Sequence, residues 1–192
     1  VVSAWEAAGE GTGVGMERVD RGVAPVFGPG VTIGVGLGGF LDGIVLHQIL
    51  GWHHLLSARP QFDMRANELA DGLFHVGTWL VVLAGLLWLY ARLRQPPVPG
   101  AWPRLDRGPR PWRALFGSML VGWGVFNVVE GLVDHHLLGL HHVRPGADQL
   151  VWDLVFLAFG ALLAGAGFLV VRPRRMARPL RSRDDEPADL PG

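Results

Sequence analysis

The chain of 192 residues carries eight histidines and no cysteine, so imidazole nitrogen and carboxylate oxygen are the strong metal donors it can offer. Two boxes hold most of them, "DGIVLHQILGWHH" (residues 42–54) and "EGLVDHHLLGLHH" (residues 130–142). At an offset of 88, Asp42 meets Glu130, Gly43 meets Gly131, His47 meets His135, Gly51 meets Gly139, and His53 and His54 meet His141 and His142. Downstream of each box, "ADGLFHVGTW" carries His75 and "ADQLVWDLVF" carries Asp153, a looser pairing in which Asp153 takes the place of His75.

A duplicated set of imidazoles and acids in apolar sequence points to a metal centre, or two related ones. The candidate ligands are Asp42, His47, His53, His54, His75, Glu130, Asp134, His135, His141, His142 and Asp153. Nitrogen and oxygen donors without sulfur suit iron or zinc first, with manganese and copper(II) as further options. Asp71 and Asp134 are candidates for orienting ligand imidazoles through their second ring nitrogen. At about 100° per residue, Glu130 and Asp134 share a helix face, as do Asp71 and His75, and His47 and His54 if the helix continues through Gly51. Two other chemistries are open. Haem b between His47 and His75 would serve one half, and a proton- or ion-handling network would use the same acids and imidazoles without a bound metal. Against a continuous path, the stretches "LVVLAGLLWLY" and "FGALLAGAGFLVV" hold no ionisable group except Tyr90.

These residues need a scaffold, and composition specifies its class. The chain is 49% hydrophobic and 18% charged, which favours a membrane protein over a soluble globule. Segments 29–51, 69–91, 114–138 and 149–171 are each long and apolar enough to cross a bilayer of about 30 Å. The expected fold is an all-α, integral membrane four-helix bundle of two tandem two-helix repeats, 29–94 and 114–172, related by an axis along the membrane normal. Residues 1–28 read as a soluble tail, 95–113 as a Pro- and Arg-rich linker and 173–192 as a disordered tail.

All 17 basic residues are Arg, and only Arg59, Arg65 and Arg144 lie in the loops that follow the first and third spans. The positive-inside rule therefore places both termini and the linker in the cytoplasm and the histidines toward the outer side of a cytoplasmic membrane. A mid-helix carboxylate costs roughly 2.5–3.5 kcal/mol on insertion scales, so the acids are expected to face inward. Gly34, Gly36, Gly38, Gly39, Gly160, Gly165 and Gly167 read as close-approach positions between helices, and several Trp as an interfacial belt. The Arg clusters read as topology signals and anionic-lipid contacts, not nucleic-acid sites. The expected partner is the lipid bilayer; a protein partner and homo-oligomerisation are left open by the sequence, as is the choice between an enzyme and a metal-binding or delivery protein.

The segments "GFLDGIVLHQILGWHH", "DGLFH" and "EGLVDHHLLGLHH" resemble the signature boxes of the prokaryotic membrane protein family catalogued as domain of unknown function 2243. The resemblance spans about residues 30–172 and implies four membrane spans, with no assigned activity.

Overall fold

A computed structural model describes residues 24–95 and 111–172. The N-terminal tail up to residue 23, most of the linker and the C-terminal tail from residue 173 lie outside the described residues. The described residues form four helices and no strand. They are α1 (Ala24–Asp42), α2 (Met64–Leu93), α3 (Pro111–Glu130) and α4 (Gln149–Val171). Each is long and apolar enough to cross a membrane once the helical extensions of α1 and α3 are included. Helix α2 starts five residues before its expected apolar span, because the Asp63 side chain accepts from Ala66 N at 2.8 Å and caps a polar first turn.

The helices pack in the order α2, α1, α3, α4, with α1 and α3 as the central pair. The loops after α1 and α3 meet at one end, where Ala58 N donates to Leu140 O at 3.0 Å. The central helices therefore run in the same direction. The outer helices present apolar side chains to their surroundings: Leu80 is 51% exposed, Leu162 72% and Leu169 67%. Such a surface belongs in lipid hydrocarbon. The interior is the inverse of a soluble core, since Asp42, His47, Asp71, Asn127, Glu130, His135, His141 and Asp153 are all buried.

Small residues bring the central pair into backbone contact. A Cβ on Gly34 would overlap the Met119 carbonyl, and one on Gly122 would overlap the Val31 carbonyl, so any side chain here would force the helices apart. These two contacts exchange under the same offset of 88. Gly36 lies against Thr78 O of α2, and Gly124 lies against Gly160 O of α4. Gly85 meets Ile33, and Gly167 meets Val121. The outer helices thus correspond at an offset of 82, which pairs Asp71 with Asp153 and His75 with Leu157. The sequence pairing of His75 with Asp153 was displaced by one helical turn, because a loop of different length hid the register. Gly38 and Gly39 pack on aromatic side chains, whereas Gly165 faces open space.

Candidate metal centre

Each central helix ends in a widened turn. Gly43–Ile49 and Gly131–Leu137 are π-helical, a form enriched at functional sites. Leu50 N reaches back to Val45 O at 2.9 Å and Trp52 N to Leu46 O at 3.0 Å; Leu138 N to Val133 O at 2.7 Å and Leu140 N to Asp134 O at 2.8 Å repeat the pattern. Gly51 and Gly139 then reverse the chain at φ 55° and 56°, where a side chain costs roughly 1–2 kcal/mol. The wide turn matters because Asp42 and His47, like Glu130 and His135, are five residues apart. An α-helix would set them about 140° apart; here each pair shares the interior face. The reversal also ends the helical stripe expected to join His47 to His54, and returns His53 and His141 from the loops over the helix ends.

Four imidazoles converge there. The His53 and His141 rings stack with centroids 4.5 Å apart. His47 lies 4.5 Å from His53, and His135 lies 4.8 Å from His141. Asp42 Oδ2 is 3.3 Å from His47 Nε2. Glu130 Oε1 is 3.1 Å from His135 Nε2 and 2.9 Å from His141 Nε2. Two triads, His47/His53/His141 and Glu130/His135/His141, each offer donor atoms within 4.8 Å of one another and could hold a metal ion.

Three of the four other ring nitrogens are already engaged. His53 Nδ1 donates to Val143 O at 2.8 Å and His141 Nδ1 to Leu55 O at 3.2 Å, each crossing to the other half of the chain. Since a carbonyl oxygen only accepts, both Nδ1 atoms carry the proton, and in a neutral ring so held Nε2 is the bare nitrogen turned inward. His47 Nδ1 donates to Asp71 Oδ1 at 2.9 Å; His135 Nδ1 sits 3.4 Å from Asp153 Oδ1 without forming a hydrogen bond. Burial, reinforced by the His141 and His47 imidazoles, pushes His53 down to about 3. Asp42 Oδ2, His47 Nε2, His53 Nε2, Glu130 Oε2 and His135 Nε2 are all buried without a hydrogen-bond partner. Orphaned polar atoms in this number are expensive in a low-dielectric interior.

Asp71 and Asp153 form a supporting layer. Asp71 accepts from His54 Nδ1 at 2.6 Å and Leu55 N at 2.9 Å, and Asp153 accepts from His142 Nδ1 at 2.7 Å and Val143 N at 2.9 Å. They anchor the loops that carry His53 and His141, and Asp71 also fixes the His47 ring. Of the sequence candidates, Asp42, His47, His53, Glu130, His135 and His141 come together. His54, His142 and Asp153 lie in the supporting layer. Asp134 is half-buried one turn beyond Glu130 and outside both triads. His75 donates through Nδ1 to Asp71 O at 2.7 Å and packs over Gly43, as Leu157 packs over Gly131.

Sequence spacing missed the π-turns and the two carbonyls that fix the tautomers. The duplicated five-residue gap from acid to histidine was the available signal. No curated protein and no solved structure matches the chain. The family described as "Predicted membrane protein (DUF2243)" matches residues 29–174. That stretch holds α2, α3, α4 and all but the first five residues of α1, with both π-turns and every residue of the buried cluster, and on that match the chain belongs to this family.

Proposed function

We propose that this chain is an integral membrane metalloprotein in which His47, His53, His135 and His141, with Asp42 and Glu130, hold two adjacent metal ions. The observation that carries this reading is the 2.9 Å approach of His141 Nε2 to Glu130 Oε1 while His141 Nδ1 is already bonded to Leu55 O. In a neutral ring that approach would set two acceptors against each other, and a cation between them would resolve it. Asp42, Glu130, Asp71 and Asp153 are buried together with only imidazoles as ion-pair partners among the described residues. Two dications would balance these four carboxylates, which otherwise pay the cost of buried charge. The Asp71 and Asp153 contacts correspond to the outer carboxylates that orient metal-bound histidines.

The donor set favours iron or zinc, with manganese or copper(II) as alternatives. The site would face the extracytoplasmic side of a cytoplasmic membrane and support redox or hydrolytic chemistry. Haem b gains no comparable support: His75 is turned onto its own helix and the other half has Leu157 at that place. The backbone contact of α1 with α3 supports a closed-off site over a through-going ion path. Elemental analysis and an absorption spectrum of detergent-purified protein test the proposal. Stoichiometric metal is expected, lowered in His135→Ala and Glu130→Ala proteins that still insert. Unchanged metal content in both variants, or a haem Soret band, overturns it.

A further inference from the structure

A cavity of about 370 Å³ opens beside the cluster, between α1 and α4, a size within the range of small-molecule sites. Trp123, Trp152, Phe156 and Phe159 line it, and Asp42 and Asn127 are the polar residues on its wall. Its rim includes Leu41, Val45 and Val155, which are 39%, 37% and 53% exposed on membrane-spanning helices. The mouth therefore faces hydrocarbon. Inside, Asn127 is only 3% exposed and its Oδ1 has no hydrogen-bond partner.

The two halves differ at this place. At the offset of 88, Gly38 corresponds to Phe126, whose ring packs 6.2 Å from Phe74 and against Gly38 and Gly39. That side carries an aromatic ring at this position, whereas Gly38 brings no side chain to the cavity wall. Asn127 corresponds to Gly39, and Trp123 to Val35. At the offset of 82, Trp152 corresponds to Ala70. The helix contacts and the supporting carboxylates keep the correspondence, while Trp123, Asn127 and Trp152 on the cavity wall depart from it.

The geometry points to this cavity as a binding site for a lipid-soluble alcohol or phenol, with its apolar body among the aromatic rings and its hydroxyl on Asn127. A primary amide presents an acceptor beside donors, and a hydroxyl, which does both, pairs with either. Satisfying a buried orphan acceptor also gives selectivity against analogues that lack the donor. A hydroxyl held on Asn127 lies on the same wall as Asp42, and so beside the proposed metal ions. The pocket itself rests on Asn127 and the aromatic wall, not on the cation.

Saturable binding of radiolabelled 4-nonylphenol to the full chain in lipid nanodiscs, measured above empty nanodiscs, tests this. Wild type should bind one equivalent, at least tenfold more tightly than the methyl ether 4-nonylanisole or the carboxylate 4-nonylbenzoate. Asn127→Leu should reduce phenol binding to the level of the ether. Val155→Trp, which fills the mouth, should abolish it, whereas Leu73→Trp, the corresponding position on the filled side, should not. Metal-stripped protein should keep the preference, so failure of the metal reading and failure of this one are separately visible. Absence of saturable binding, equal binding of the ether or the carboxylate, or equal loss in the Val155 and Leu73 variants overturns the assignment.

Discussion

His53 and His141 stack 13° from parallel at 4.5 Å, and each is held through Nδ1 by a backbone carbonyl of the other half of the chain, Val143 and Leu55 respectively. The loops are thereby laced across the molecule at the point where the donors meet. The Nδ1 bond of each histidine is supplied by the opposite half. The supporting contacts, the glycine packing and the reversal at each helix end all follow from bringing two similar halves together around this pair.

The carboxylates behind the imidazoles should set metal affinity without touching the ion. Asp71 fixes His47, and Asp153 anchors the loop of His141 through Val143 N. Asp71→Asn and Asp153→Asn should each weaken metal binding by about 10–100-fold, measured by chelator competition in detergent. Wild-type affinity in both variants would show that the buried acids act only in folding.

Contact between α1 and α3 should be intolerant of a single methyl group. Gly34→Ala and Gly122→Ala drive a Cβ into a carbonyl of the facing helix, and overpacking of this kind costs about 1–3 kcal/mol. Thermal unfolding in detergent should show lower midpoints for both, with Gly165→Ala, where nothing lies in the way, close to wild type. Equal midpoints for all three would contradict the backbone contact.

Acid should destabilise the metal-free protein through His53. Its imidazole titrates at about 3 when folded and near 6.5 when unfolded, so the unfolded chain binds the extra proton between those values. Its contribution is complete above pH 6.5 and is lost as pH falls toward 3, by at most about 1.4 kcal/mol per pH unit. Thermal midpoints of metal-free wild type should fall more between pH 7 and pH 5 than those of His53→Gln. Parallel declines would place His53 in contact with water.

Much of this was legible in residue types and spacing, and the reasons differ by element. Four spans were readable because lipid-facing helices such as α4 are apolar over most of their length, and the buried acids because charge in such a segment has to face inward. The partners of those acids were harder to read. Treating Asp42 and His47 at α-helical spacing separates them, since only the hydrogen bonds of the π-turn bring them together. His54 was placed on a stripe with His47, but Gly51 at φ 55° sends it to Asp71 instead. The role of Asp153 depended on a register that emerges only when Gly36 and Gly124 are seen against their neighbouring helices. The carbonyls of Leu55 and Val143 leave no trace in residue identity.

X-ray absorption at the metal edge, combined with metal-to-protein stoichiometry on detergent-purified, metal-loaded protein, tests the central claim most directly. Two metal ions per chain are predicted, ligated by nitrogen and oxygen only, with imidazole nitrogens at about 2.0–2.1 Å if the metal is zinc and imidazole scattering reduced in His141→Ala. Substoichiometric metal after loading, or a coordination shell without imidazole, would contradict it.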